Sequence, residues 1–593
     1  MNLRSPFAAR SRPGRCAGLM AMALWAVAGA SAKDAFVVLS GGGTPLSNNY
    51  SQYLQAKAMS ADLQRNRPAD AVWIFFGAGN RPGEPVALAD VHRQVKDGGV
   101  LRDTWLPGAL PHNRRASKEE FLRALREEIL PRVHDGGTLY LFVGDHGERA
   151  KAEPRESVIT MWRMVNRDGT KLGWNTDPAE ELRVSELRAA LAAGLGQGRV
   201  VFCMTQCYSG DFHFLGAPKV IAPNPGWFRV VPSWAVARDT PALPAVAGFT
   251  SVDENSIAAG CDPDPDPDQW AGYERFLPEA LLGTDLFDGR KTGAAQPSYA
   301  AAHEAAVLAD QTIDRPRSTS EQYLERWARL IEKLAAEPGL TPAAKTQVEL
   351  YQQGVTGGLA EAKDPEFVAE RARISRFLAA MDEQNPAMAD ILQSGSTIEL
   401  ERAVLAEVHA PHRTSGDGHR LWKEVLRPAW KRAVEAGRVK EPAGAALAFE
   451  RYLLAQEDKG REMIFKDGWR DPILNDLYWR SGYAFPSELD ATKAEAITRW
   501  GAERRGKIVA WARTSPDRSV QAAAAKLAVE WLDQNAVPPD RTLSRRTAAE
   551  RTLFYRRVLA AWAFLINLKE ATALAQLHRY IELERTPLPA ARE

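Results

Sequence analysis

Cysteine is scarce in this chain, with four in 593 residues: Cys16, Cys203, Cys207 and Cys261. So few exclude a fold held by a disulfide framework. Histidine is nearly as rare at ten. In the C-terminal half the one close pair, His409 and His412, flanks Pro411 in a loop and has no Cys or acidic set at metal-ligand spacing, so no metal site is expected. Charge of one sign is also missing: the formal net charge is +1, which gives no basic footprint for nucleic acid. After the first 32 residues no uninterrupted apolar run reaches the ~20 needed to span a bilayer. A glycine triplet, Gly41-Gly42-Gly43, follows the first apolar run, but neither a G-x-G-x-x-G pattern nor a P-loop lysine accompanies it. A tight strand exit is therefore preferred there to a phosphate cradle, and no cofactor is expected.

The N-terminus carries Arg4, Arg10, Arg12 and Arg15, then an apolar run from Cys16 to about Ala28, then Ala30-Ser31-Ala32 before Lys33. That is the pattern of a secretory signal over residues 1–32 with an Ala-x-Ala cleavage site, so the mature protein is expected to be exported, periplasmic or secreted, without a membrane span. Removing the four arginines from 76 basic residues leaves 72 against 75 acidic ones, a formal charge of −3. Removing Cys16 leaves three cysteines, so at least one thiol stays free or pairs with another chain. Cys203 and Cys207 lie on one strand roughly 13 Å apart, at about 3.3 Å per residue, and cannot bridge. Cys203 reads as core.

Apolar runs of strand length occupy residues 35–40, 71–76, 138–144, 199–207 and 246–251, with amphipathic helical patterns at 52–65, 117–130 and 185–195 between them. A short hairpin strand is expected at 157–163, and 77–116 reads as a long Pro/Gly-rich connection. Alternating strands and helices predict a doubly wound, mostly parallel α/β sheet over residues 33–290. Residues 291–315 read as a linker. From 316 to 593 helical spacing takes over, as at 321–334, 366–381, 445–455, 491–511, 520–531 and 551–565, and strand signals almost vanish. This predicts an all-α domain of about ten helices, large enough to fold alone. Between Cys207 and the fifth strand lies an irregular stretch with Trp227 and Trp234, which either walls a cleft or packs locally. The run from Asp262 to Asp268 alternates Asp with Pro and reads as a solvated loop, with a calcium site as the lesser alternative because regular Asp-Pro spacing is unlike an EF-hand loop.

Two apolar strands end in reactive residues: 138–144 runs into Asp145-His146-Gly147, and 199–206 runs into Cys207-Tyr208-Ser209-Gly210. In open α/β sheets, chemistry sits beyond the carboxyl ends of the strands. A thiol needs an imidazole to become a nucleophile, and an acyl-transfer intermediate needs N–H donors at its oxyanion. Cys207 and His146 are the candidate catalytic pair, with the N–H groups of Gly147 and Cys207 as candidate oxyanion donors.

At these residues the chain resembles the caspase-like cysteine peptidases, and among them the legumain type, whose strands end in Asp-His-Gly and in a Cys followed by one residue, Ser and Gly. The resemblance covers residues 33 to about 290. It implies a caspase-like fold, a cysteine-type endopeptidase (a hydrolase) acting through a Cys207 thioester, and a peptide or protein substrate. It also implies that Asn49, in Asn48-Asn49-Tyr50, orients the imidazole; by residue type alone Asn49 is equally a helix cap. The segment 248–261 matches the one that lines the pocket before the scissile bond, with Ile257, Ala258, Ala259 and Gly260 as its wall. Asp145 falls beside that pocket. Where asparagine-cleaving legumains carry an Arg after Asn-Tyr, this chain has Ser51, and the acidic residue expected further on falls at Tyr273 with Glu274 beside it. Strict Asn cleavage is therefore not expected. A basic residue is favoured if Glu274 or the Asp run faces the pocket, and a small or apolar one if they do not. Oxidation either joins Cys261 to Cys207 or leaves Cys207 a reactive free thiol, so activity is expected to depend on reductant. The helical part either binds a protein partner or covers the cleft, as in legumain-type precursors. The alternatives are a transpeptidase using the same thioester and a catalytically dead peptidase fold whose helices form an interaction domain.

Overall fold

A computed structural model describes residues 33–384 apart from 44–46, 81–88, 98–99, 151–152, 163–179, 236–242, 357–358 and single positions at 244, 264, 266, 268 and 269, and then residues 425–439, 508–525 and 545–589. The expected signal segment 1–32, the His409/His412 pair and the helix expected at 445–455 lie outside them. Among the described residues no helix is long and apolar enough to cross a membrane.

Near-continuous apolar runs produce strands buried on both faces. They are β1 (Ala35–Ser40), β2 (Val72–Phe76), β6 (Thr138–Val143), β10 (Arg199–Met204) and β11 (Val246–Thr250). With the short β5 (Asn113–Arg114) and β12 (Arg317–Ser318) they form one seven-stranded sheet, ordered β12-β11-β10-β6-β1-β2-β5. All pairings are parallel except that of β12 with β11. The chain winds outward from β1 through β2 and then returns to the other side through β6, β10 and β11, so the order reverses between β1 and β6. Ligand crevices in such sheets open at the carboxyl ends beside that reversal.

Period-two alternation divides the core. Phe36, Val38, Tyr140, Phe142, Val201, Cys203, Ala247 and Phe249 point to one face, and Val37, Leu39, Leu139, Leu141, Val143, Val200, Phe202 and Met204 to the other. The second face is covered by α2 (Lys118–Ala124), which runs through a π-turn into α3 (Leu130–Val133), and by α4 (Val184–Gly194). The first is covered by α1 (Tyr50–Asn66), α5 (Tyr273–Leu282) and α6 (Tyr299–Ala309). A three-stranded antiparallel sheet, β7 (Gly147–Arg149), β8 (Ser157–Thr160) and β9 (Glu181–Arg183), stands beside the end of β6. A hairpin of β3 (Ala89–Asp97) and β4 (Val100–Pro107) occupies the expected irregular connection.

The expected linker and separate all-α domain require correction. Helix α6 lies inside 291–315, and β12 places a strand at the start of the region expected to be helical. Helices α7 (Thr319–Leu334), α8 (Pro342–Thr356), α9 (Pro365–Gln384) and the two last ones, Arg545–Asn567 and Ala571–Glu584, are helical as the periodicity predicts. They do not close a core of their own. Tyr323, Trp327, Phe377, Tyr555, Trp562, Leu577 and Tyr580 belong to the same cluster as the first face of the sheet. The physical reason is that a sheet apolar on both faces needs two covers, and α1, α5 and α6 cover only part of the first. Trp227 settles in this joint: its ring packs edge-on against Trp327 and Phe564, and its indole donates to Glu570 at 3.0 Å. The Trp-bearing stretch is thus packed against helices at this point. Among the described residues, 425–439 and 508–525 form a smaller cluster around Leu426, Trp430, Ile508, Ala512 and Ala524.

Candidate active site

Register brings the two reactive residues together. In the β6/β10 pair Val143 lies opposite Met204, and His146 and Cys207 each follow three residues later, just past the ends of these adjacent parallel strands. The backbones stay close beyond the strand ends, for a Cβ placed on Gly147 would lie 2.0 Å from the Cys207 carbonyl oxygen. Only glycine allows that approach. After Cys207 the chain turns sharply: Tyr208 is left-handed with φ 57° and leads into a 3₁₀ turn at Ser209–Leu215. Strain of this kind at a non-glycine residue is typical of functional sites. The turn is held by Tyr208 N–H donating to the Ser256 carbonyl at 2.7 Å.

His146 is half-buried, and its Nε2 lies 2.5 Å from the backbone carbonyl oxygen of Ser47. A carbonyl can only accept, so Nε2 carries the proton and Nδ1 keeps its lone pair. Burial pulls the imidazole down to about 4, so it is neutral at neutral pH. Asp145 is buried and accepts from the N–H groups of Gly41 at 2.6 Å, Gly42 at 2.8 Å and His146 at 2.6 Å. Burial outweighs these donors and pushes its carboxyl up to about 7. The glycine turn therefore cradles a carboxylate of its own chain, which pins the His146 loop to the end of β1. With its carboxylate committed there, Asp145 is a buried anchor.

The thiol of Cys207 faces the segment expected to wall the pocket. Its Sγ accepts from Ala258 N–H at 3.2 Å and lies 3.9 Å from the Ala258 carbonyl oxygen. Burial pushes the thiol up to about 11. The segment is held from two sides. On one, Ser51 Oγ donates to the Gly260 carbonyl at 2.9 Å and accepts from Asp262 N–H at 3.0 Å, while Asn49 Nδ2 donates to the Cys261 carbonyl at 3.2 Å. On the other, Ala259 N–H donates to Asp314 Oδ1 at 2.8 Å. Asn49 is the N-cap of α1, with Gln52 reaching back to its N–H at 3.1 Å. Its amide goes to the wall and not to the imidazole; the atom on the ring belongs to Ser47. Cys261 is a free thiol beside Gln52, raised by burial and by its neighbour Cys207.

Glu274 lies behind Gly260, 1% exposed, where a Cβ on that glycine would meet Glu274 Cγ at 2.1 Å. Its Oε1 accepts from the Trp270 indole at 2.5 Å, and burial pushes its carboxyl up to about 7. It is a covered group, not an open pocket floor. Sequence reasoning missed Ser47, Gln52, Asp314 and Arg551. Ser47 and Gln52 adjoin the Asn-Asn-Tyr motif, whereas nothing local marks the other two. No protein-family model matches the chain, and no curated protein is significantly similar to it.

Proposed function

We propose that the chain is an exported cysteine endopeptidase of the caspase-like, legumain type, with Cys207 as nucleophile and His146 as general acid and base. The observation that carries this reading is the pairing of a thiol and an imidazole three residues beyond matched positions of adjacent parallel strands, with a backbone N–H on the sulfur and the far ring nitrogen fixed by a carbonyl.

At neutral pH burial keeps both groups uncharged, so the thiolate forms during attack and not before it. Nδ1 of His146 accepts the thiol proton as Sγ bonds to the substrate carbonyl carbon. The N–H groups of Gly147 and Cys207 are the donors for the resulting oxyanion. The imidazolium returns the proton to the leaving amine as the C–N bond breaks, which leaves a thioester on Cys207. Water then attacks with His146 again as base, the C–S bond breaks, and acid and free thiol are released. Asp145 and the Ser47 carbonyl hold the ring in place throughout. Small Ala258 and Ala259 in the wall and the covered carboxyl of Glu274 support a small or apolar residue before the scissile bond.

The test is cleavage of a peptide library by mature protein under reducing conditions. Cys207→Ala and His146→Ala are each expected to lower turnover by about 10⁴-fold or more while circular dichroism stays unchanged, because the two act as one unit. Wild-type-like turnover in either variant would sink the assignment. A profile dominated by Lys or Arg would show that substrate reaches Glu274, and one dominated by Asn would overturn the reading of Ser51.

A further inference from the structure

Arg551 lies in the helix Arg545–Asn567, more than 300 residues from Cys207 in sequence, and is only 3% exposed. Its guanidinium is spent on one short loop. One terminal nitrogen donates to the Asp310 carbonyl at 3.0 Å, the other pairs with Asp310 Oδ2 at 2.7 Å and donates to the Asp314 carbonyl at 2.6 Å, and Nε donates to the same carbonyl at 2.9 Å. Asp310 also folds back on Thr312, accepting from its N–H at 2.8 Å and its hydroxyl at 2.7 Å. The clamp closes residues 310–314 into a fixed turn, and Asp314 leaves that turn with its carboxylate aimed at the wall. Oδ1 accepts from Ala259 N–H at 2.8 Å and Oδ2 from Tyr273 N–H at 3.3 Å. The neighbouring N–H, that of Ala258, is the one on the Cys207 sulfur.

We infer that Arg551 is a positioning residue for the nucleophile: through Asp310 and Asp314 it sets the 258–259 wall so that the Ala258 N–H stays on Cys207 Sγ. The inference deepens the peptidase reading, and it makes one of the last helices part of the site in place of a detachable lid. A hydrogen bond to sulfur favours the thiolate, so its loss raises the thiol pKa. The titratable groups around the sulfur are Asp314 and Glu274 behind the wall, Tyr208 next in the chain and Cys261 across the wall, and His146 lies past the end of the neighbouring strand β6. The two carboxyls act in the same direction as loss of the N–H.

Alkylation by iodoacetamide, followed peptide by peptide at Cys207 over a range of pH in the full chain, reads this without any peptidase substrate. If cleavage is never found, the titration midpoint still tests the clamp. Arg551→Ala is expected to move the midpoint upward by about one pH unit. Arg551→Lys keeps the charge but loses the planar fork, and its midpoint is expected to stay displaced. Asp310→Asn breaks the ion pair with Arg551 without removing a carboxyl that acts on the sulfur, so its midpoint is expected to rise as well, and it carries the test if Arg551→Ala does not fold. A purely structural Arg551 would lower the melting temperature with the midpoint unmoved in the folded variants. That result, or a midpoint restored to wild type by lysine, would overturn the inference.

Discussion

At the scale of single residues the site depends on close approach. Gly147 sits where any side chain would strike the Cys207 carbonyl at 2.0 Å. Gly147→Ala therefore has to push apart the two segments that hold the proposed oxyanion donors. Overpacking of this kind costs about 1 to 3 kcal/mol, and displacing a single oxyanion donor lowers kcat by about 10²-fold or more. A melting curve beside steady-state kinetics checks this. Unchanged kcat would mean that Gly147 N–H is not an oxyanion donor. Asn49 shows where residue-type reasoning stops. Its identity allowed both a helix cap and an imidazole partner, and in the fold its backbone caps α1 while its amide holds the Cys261 carbonyl.

Among the elements, the strands were the most legible. The unbroken apolar runs 35–40 and 246–251 predict strands, and β1 and β11 occupy Ala35–Ser40 and Val246–Thr250. The β3/β4 hairpin was missed although Asp97-Gly98-Gly99-Val100 is a two-residue hairpin signal, because the many Pro and Gly around it read as loop. Asp314 and Arg551 left no local trace, since a buried ion pair between segments over 200 residues apart has no periodicity to detect. The N-terminus of α1 turns out to be a joint between helix and wall, made by buried Ser51. Ser51→Ala removes the hydroxyl's bonds to the Gly260 carbonyl and from Asp262 N–H, a cost of about 1 to 3 kcal/mol. It loosens the wall more than the nucleophile, so KM is expected to rise several-fold with kcat changed much less. An equal fall in kcat with no change in KM would place Ser51 with the reacting groups.

For the whole molecule, helical spacing told which segments bury a face but not against what, and hence the expected independent domain. One core runs from the sheet into the final helices. A chain ending at Asp310 would strip the cover from Tyr140, Phe249 and their neighbours and lose the Arg551 clamp. It is expected to aggregate or unfold, where a removable inhibitory domain would leave a folded and more active remnant; size-exclusion chromatography and circular dichroism separate the two. The same joints carry a pH signature. Burial raises Asp145 and Glu274 to about 7 and Glu584 to about 8. Each therefore holds its proton in the fold at a pH where the unfolded chain has lost it. Stability from such groups is full below about 4, the ordinary carboxyl range, and is lost as pH rises toward the folded value. Half-buried His146 and buried His213 and His303 are shifted down, so their contribution is complete above about 6.5 and is lost as pH falls below it. From pH 7 to 8 these carboxyls outweigh the histidines among the described residues, at about 1 kcal/mol per group and pH unit while still protonated, and the melting temperature should fall across that window. Glu584 takes Ser320 N–H at 2.6 Å and the Ser320 hydroxyl at 2.7 Å, joining the last helix to the start of α7. Glu584→Gln keeps the shape and an acceptor for the N–H without the ionisation, so it should flatten the slope between pH 7 and 8. A slope as steep as that of the wild type would mean that Glu584 is already ionised in the fold, held so by the N-terminus of α7.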